Sequence, residues 1–391
     1  MTAMPAPGAP GDAVGGSARP TSTRPPITWT TRRADTSDMA GILACRKVTF
    51  AGEDLDKADA AYWNWEFVDN HAGPARLFVA VDGERIVGHY AVIPQRFVLD
   101  QQVLPGSIVV DVMTHPDYRF QGMFTRLGGY SLAQCEGDGD FEFTTGYPIR
   151  EAVIPGHLKV GWRIRFRIGT YVMPLAMAPL LRARLPWLGK VPGLASVLGA
   201  LPGAALRLWG KLRLGRGDAG VRIERREQVD AARLATFWEQ VRAAPPAGCM
   251  LQERSAEYLA WRFDANPNRH YLYHLACDEG GKVLGFVVSR PAPLLDVEAM
   301  TVVDACLLPG VGEAVLRRLL ADVRARAVEI GCPMLAMMVT QPNPYFPNPS
   351  RLGFLATPYR FSFITRPLAP GGRSEDDSLR WHLMWGDTDD V

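Results

Sequence analysis

The sequence predicts a mixed α/β architecture made of two fused copies of one domain, and three observations support that expectation. The chain has 391 residues, beyond the size at which one hydrophobic core usually stops growing. Its first half orders its elements as β-α, an antiparallel meander, then β-α-β. An aromatic motif of the first half also returns in the second: Tyr62, Trp65, Phe67 and Asn70 of YWNWEFVDN reappear as Tyr258, Trp261, Phe263 and Asn266 of YLAWRFDAN, each 196 positions on.

The elements follow in order. Met1 to Pro26 is dominated by Ala, Pro, Gly, Ser and Thr and lacks an apolar h-region, so residues 1–26 read as a flexible tail and not a signal peptide. Ile27 to Arg33 is a short strand, and Ser37 is placed to N-cap a helix running through Met39, Ile42 and Leu43. Arg76 to Val81 alternates as a strand, Asp82-Gly83-Glu84 turns, and Ile86 to Leu99 returns as a hairpin. Gly106 to Thr114 is the next strand, Gln121 to Cys135 a helix, and Phe141 to Tyr147 another strand.

The later part echoes this order. DGERIVGHYAVIP returns as EGGKVLGFVVSRP, VDVMTHP as VDACLLP, and the KVGW around Gly161 as the RLGF around Gly353. The period is that of a whole domain, too long for a solenoid unit. The expected division is a first domain at 27–173, a helical basic linker at 174–222, a second domain at 223–368 and an acidic C-terminal tail at 369–391. The linker carries no acid before Asp218 and sets Trp187 and Trp209 among Arg182, Arg184, Lys190, Arg207, Lys211 and Arg213. Helices bridging two domains with snorkelling basic side chains are the expectation, with contact to an anionic membrane surface as the alternative.

Composition excludes several partners. Lys+Arg of 43 against Asp+Glu of 41 leaves +2, too little to neutralise a phosphate backbone, so nucleic acid is not expected. The six cysteines are scattered with no CxxC pair, which argues against a zinc site and a disulfide framework and for reduced, buried thiols; no metal is expected. No stretch approaches 18 uninterrupted apolar residues, so no spanning helix is expected and a cytoplasmic location follows.

The stretch that points to chemistry is VVDVMTHPDYRFQGMFTRLGGYSL: an apolar strand, Pro116, a short polar loop, then a helix. A loop that wraps a diphosphate must turn several backbone N–H groups inward while the helix N-terminus adds its positive dipole end. Gly122 permits close approach, and Arg119 can support the loop or counter phosphate charge. This stretch resembles motif A of the GNAT acetyltransferases, whose loop reads Gln or Arg, two residues, Gly, one residue, then Gly or Ala; Arg119 and Gly122 match, and Phe124 departs.

The resemblance implies two GNAT domains, each a mixed, mostly antiparallel sheet flanked by helices, with its fourth and fifth strands splayed. It also implies acetyl-CoA or another acyl-CoA as cosubstrate, held by Arg119, Phe120, Gln121, Gly122, Met123 and Phe124, with the pantetheine arm beside Val112, Met113 and Thr114. A backbone N–H near Met113 is the implied oxyanion donor.

Transfer to an amine requires removal of one proton and supply of another to the departing thiolate. In YPIREAVIPGHLKVGW, His157 takes the position where the family places a tyrosine acid, and Ile149 that of its asparagine. Tyr147 is a second nearby donor, and Asp111 could orient or deprotonate the amine or pair with a neighbouring cation. His89 is a weaker candidate, and His115 is expected to shape the loop. In the second copy GVGEAVLRRLL follows Pro309 without a matching Arg-x-x-Gly, so that copy is expected to be degenerate and to wall the acceptor pocket, although Gly310 and Gly312 could bind an anion. The acidic C-terminus reads as a solvated tail, with Asp387, Asp389 and Asp390 able to attract a cationic amine.

The expected activity is transfer of an acetyl or other short acyl group to a primary amine of a small molecule or sugar, without a covalent enzyme intermediate. The alternatives are transfer of a long-chain acyl or aminoacyl group on the same fold, and non-catalytic sensing of acyl-CoA.

Overall fold

A computed structural model describes residues 28–389 apart from 52–56, 186, 188–189, 191–192, 216–219 and 295. The tail expected at 1–26, Ile27 and Asp390 lie outside the described residues. In the first half come β1 (Thr30–Ala34), α1 (Met39–Thr49), α2 (Ala60–Phe67), β2 (Arg76–Asp82), β3 (Arg85–Leu99), β4 (Gln102–Thr114), α3 (Met123–Asp138), β5 (Phe143–Gly146), α4 (Ile154–Lys159) and β6 (Arg163–Pro174). A helical pair follows, α5 (Met177–Arg184) and α6 (Leu194–Leu214). The second half holds β7 (Arg222–Arg226), α7 (Ala231–Ala243), β8 (Cys249–Gln252), α8 (Ala256–Leu259), β9 (Leu272–Cys277), β10 (Val283–Leu294), β11 (Val297–Leu307), α9 (Glu313–Glu329), β12 (Met334–Val339), β13 (Leu355–Pro367) and β14 (Arg380–His382).

The predicted strands appear, with a few boundaries moved. Ser37 does not cap α1: Asp35 accepts from the Ser37 amide at 2.8 Å and starts a 3-10 turn ahead of the helix, since a carboxylate is a stronger acceptor than a hydroxyl. The helix expected from Gln121 begins at Met123 because Gly122 is left-handed, with φ 76°.

All the strands join one sheet, ordered β1-β2-β3-β4-β5-β13-β6-β12-β11-β10-β9-β7, with β8 pairing β3 and β14 beside it. The order is a palindrome in the repeat: β1 answers to β7, β2 to β9, β3 to β10, β4 to β11 and β5 to β12. The two central strands have changed places. β6, which ends the first half, lies antiparallel to β12 of the second, and β13 of the second lies antiparallel to β5 of the first. The expected pair of sheets is therefore a single sheet that does not divide at residue 174.

The repeated aromatic motif lies on the local two-fold of this palindrome. Trp65 and Trp261 stack with ring centroids 5.4 Å apart, and each indole N–H donates to the other's backbone carbonyl, at 2.6 and 2.9 Å. The helices are capped alike: Asp59 accepts from the Tyr62 amide at 2.8 Å, and Ser255, 196 positions on, from the Tyr258 amide at 3.1 Å. A stacked pair contributes about 0.5–1.5 kcal/mol beyond its buried area. Each buried indole bond contributes about 1 kcal/mol.

Candidate active site

β4 and β5 run parallel through Gly106–Phe143, Ser107–Thr144 and Ile108–Thr145, and there the pairing stops, although β4 continues to Thr114. The register between β3 and β4 slips at the same point. Val110 faces Ala91 and Met113 faces His89, so Asp111 and Val112 oppose the single residue Tyr90. This is a β-bulge, and Asp111 holds a left-handed φ of 53° within it. A bulge bends its strand; β4 leaves β5, and a cleft of about 490 Å³ opens between them.

Val109, Val110, Asp111 and Val112 line one wall of the cleft, and Gly146, Tyr147 and Ile149 another. Of the three residues expected beside the pantetheine arm, Val112 lines the cleft, while Met113 is buried opposite His89 and neither it nor Thr114 lines the cleft. A larger hollow of about 970 Å³ lies on the second half between Arg226 and Arg290. It mixes charges of both signs, and its Asp264 is bound to the Val229 amide and the Tyr273 hydroxyl, at 2.8 Å each. The larger hollow reaches the N-terminus of α7, but there Asp230 caps the helix by accepting from the Arg233 amide, whereas the smaller cleft meets the α3 N-terminus, which has no side-chain cap.

That mouth is the predicted loop. His115 accepts from the Asp117 amide through Nδ1 at 3.2 Å and so shapes the 3-10 turn Pro116–Tyr118, as expected. Arg119 and Gly122 are exposed, and Phe120 is 92% exposed with a left-handed φ of 64°. Gln121 accepts from the Trp29 indole at 3.0 Å, which ties the loop to the N-terminal segment. The first intrahelical bond of α3 is Arg126 N to Gly122 O at 3.1 Å, and Gly122 has no side chain to cap with. The amides of Met123, Phe124 and Thr125 therefore point out of the helix end without an intrahelical acceptor.

The two departures from the family pattern touch each other. The Phe124 ring stands edge-on to His157 at 4.9 Å, and a Cβ on Gly156 would meet that ring at 2.6 Å. Trp162 closes the other side of His157 at 5.3 Å. Burial lowers His157 to about 4, and its Nδ1 has no hydrogen-bond partner. Near neutral pH it is an uncharged imidazole, poorly suited to act as a general acid. Tyr147 also lines the cleft, and burial raises its hydroxyl well above its ordinary value, so it keeps its proton.

Asp111 is ion-paired to Arg46 of α1, and His89 Nδ1 lies 3.5 Å from its carboxylate and 3.1 Å from its carbonyl oxygen. Asp111 thus takes the second of its two expected roles, pairing with a neighbouring cation. Arg46 carries no signal in the sequence, since it looks like any cation on an amphipathic helix. Phe50 also lines the cleft, with the Arg46 guanidinium 5.0 Å from its ring centroid.

The C-terminal segment overturns one expectation. Trp381 to Thr388 is buried, not solvated. It fills the gap between β11 and β12, which pair through Met300–Leu335, Thr301–Ala336 and Val302–Met337 as β4 and β5 do. Thr340 donates to Leu383 O at 3.1 Å, and His382 Nε2 lies 3.0 Å from Ala305 O. Arg254 bridges the carboxylates of Asp304 and Asp387, all three with fully buried side chains. Asp304 is the repeat counterpart of Asp111. Arg262 and Tyr258 both donate to Gly386 O, and the segment ends with Asp389 lining the first cleft, ion-paired to Lys57 at 3.4 Å.

All six cysteines are buried and none lines the cleft. Burial raises Cys135, Cys249 and Cys306 to about 12, so these thiols stay protonated. Among the described residues no group of acids, histidines and cysteines could hold a metal ion.

Burial also lowers His89 and His382 to about 3. Above pH 6.5, His89, His157 and His382 are neutral whether folded or unfolded, and they contribute nothing to the pH dependence. Below it the unfolded chain takes up protons that the folded one refuses, so stability falls with pH. The loss is on the order of 1 kcal/mol per histidine at pH 5.5. Urea denaturation at pH 7.5 and 5.5 is expected to show a loss of a few kcal/mol, and equal stability at the two values would contradict these burials.

Residues 30–164 match the family profile described as the acetyltransferase (GNAT) domain. Among curated proteins none matches this chain. Solved structures share its fold. An Enterococcus faecalis protein described as a probable N-acyltransferase is 10% identical with a TM-score of 0.58, covering 88% of this chain and 73% of its own. A GCN5-related N-acetyltransferase from Anabaena variabilis is 12% identical with a TM-score of 0.58, covering 87% and 73%. One from Kribbella flavida is 18% identical with a TM-score of 0.54, covering 87% and 71%.

Proposed function

We propose that this chain, which carries a GNAT acetyltransferase domain at residues 30–164 on the fold of GCN5-related N-acetyltransferases, moves an acyl group from acyl-CoA to a primary amine. The observation that carries this reading is the parting of β4 from β5 beyond Ile108 and Thr145, with the uncapped N-terminus of α3 at its mouth. The residues there fit the cosubstrate. The free amides from Met123 to Thr125 and the exposed Arg119 suit a diphosphate, and the wall from Val109 to Val112 offers strand backbone to the amides of a pantetheine arm.

The bulge interrupts the ladder at Asp111 and Val112. An amide of that stretch, and not that of the strand-paired Met113, is the better candidate to stabilise the oxyanion as the thioester carbon becomes tetrahedral. Arg46 holds Asp111 and thereby the bulge. Asp389 brings a carboxylate to the cleft that can orient a cationic amine, whose proton passes to solvent before attack. Tyr147 hydrogen-bonds the thiolate as its charge develops and supplies the proton on release of CoA. The amine attacks directly, since no thiol is positioned to be acylated.

The test is release of free thiol from acetyl-CoA against a panel of primary amines. Turnover is expected with at least one amine. Tyr147→Phe is expected to lower kcat about tenfold to a hundredfold while acetyl-CoA affinity stays within about twofold. Binding of acetyl-CoA without turnover of any amine would contradict the enzyme reading.

A further inference from the structure

α6 is built the wrong way round for a helix facing water. Its inward face is made of Ala195, Gly199, Gly203 and Gly210, with Leu214 at the end, all buried. The glycines are needed there: a Cβ on Gly199 would lie 2.7 Å from the Ala178 amide nitrogen of α5, and one on Gly210 3.1 Å from the Met173 sulfur. Its outward face carries Val197, Leu201, Leu208 and Leu212, which are 74, 83, 57 and 69% exposed. At 3.6 residues per turn these four, with Leu198 and Trp209, fall within an arc of about 120°. A water-soluble helix places such residues on the core.

The hairpin's own charge has one sign. Arg207 and Lys211 flank one edge of the apolar arc and Arg213 the other, its guanidinium 4.0 Å from the centroid of the Trp209 ring. Arg182, Arg184 and Lys190 are exposed on and after α5, near Leu185 and Trp187, which are 40 and 55% exposed. Residues 174–217 contain no Asp or Glu. The hairpin is held to the body of the protein by Arg324, which donates to Arg207 O at 2.9 Å, and by Arg317, which donates to Arg213 O. No helix among the described residues is long and apolar enough to cross a membrane.

We propose that the α5–α6 hairpin is a docking surface for an anionic lipid bilayer. α6 lies in the plane of the headgroups, its leucines entering the acyl boundary, its tryptophans at the interface and its cations on the lipid phosphates. A protein partner of ordinary composition would need an all-acidic rim around an apolar strip, whereas a phosphatidylglycerol surface supplies both together. The proposal is independent of acyl transfer.

The test is co-sedimentation of the full chain with vesicles of phosphatidylcholine alone and with phosphatidylglycerol added. Binding to the anionic vesicles is expected at low salt, at least about tenfold tighter than to the neutral ones and weakened at 0.5 M salt by screening. The double variant Leu201→Glu/Leu212→Glu is expected to bind at least about tenfold more weakly. Both side chains are exposed, so its thermal melt should match that of the wild type, and a matched melt separates lost docking from lost folding. Failure of the wild type to bind anionic vesicles, or equal binding by the double variant, overturns the proposal. So does a dimer in sedimentation equilibrium that the double variant abolishes without any vesicle binding, which would assign the face to a second copy of the chain.

Discussion

Gly122→Glu is expected to weaken acetyl-CoA binding at least about a hundredfold, or about 2.7 kcal/mol, while the chain stays folded. Space is not the obstacle: a Cβ at this position has no neighbour nearer than Thr125 Oγ1, at 3.9 Å. The backbone is one, because φ is 76° and an L side chain there costs about 1–2 kcal/mol locally. The larger effect is charge. A carboxylate beside the free amides of Met123 to Thr125 competes for them, and it repels a diphosphate at about 4 kcal/mol per charge pair at 4 Å near a protein surface. Gly122→Ala carries the strain without the charge and should lose no more than about tenfold. Isothermal titration distinguishes the three proteins, and unchanged affinity in the Glu variant would remove the basis for a diphosphate site.

The largest effect on stability is expected at Arg254. Its guanidinium makes bonds of 3.0 Å to Asp304, 2.7 and 2.8 Å to Asp387, and 2.9 Å to Gln252 O, with all three charged side chains buried. Arg254→Met leaves two carboxylates close together without their cation. Burial already raises Asp304 above its ordinary value, so it would take up a proton in the variant at some further cost. Removing one partner of such a cluster costs about 3–5 kcal/mol. Adding Asp304→Asn and Asp387→Asn should restore part of that by removing the stranded charges. Urea denaturation at pH 7 measures both variants, and a loss under about 1 kcal/mol for Arg254→Met would contradict a buried triad that fixes the C-terminal segment.

Much of the cleft was legible in the sequence because its parts are local. A strand, a proline, a short polar loop with Gly122 and a helix form one contiguous signal, and the left-handed φ at Gly122 is what only glycine adopts freely. The four repeated aromatic and amide positions were also readable, and two of them meet as the Trp65–Trp261 stack.

What was not legible depends on pairing between distant segments. β6 and β13 alternate like any half-buried strands, and nothing in their residues states which sheet neighbour each will take. The C-terminal acids read as solvated because an isolated carboxylate prefers water; the cations that offset burial are distant in sequence, Arg254 standing 133 positions from Asp387 and Lys57 pairing with Asp389. Arg46 was missed for the same reason, since its partner Asp111 sits on a bulge of another element. The linker's composition suits helices with snorkelling cations. The fold shows the leucines of α6 on the outside.

On the proposed function the first pair of parted strands receives acyl-CoA, while the chain's own C-terminal segment closes the counterpart pair. Hydrogen–deuterium exchange with and without acetyl-CoA distinguishes the two clefts. Slower exchange is expected in peptides covering 109–112 and 120–125, with peptides covering 302–313 and 381–388 unchanged. Protection confined to the second half, or none in the first, would place acyl-CoA outside the first cleft.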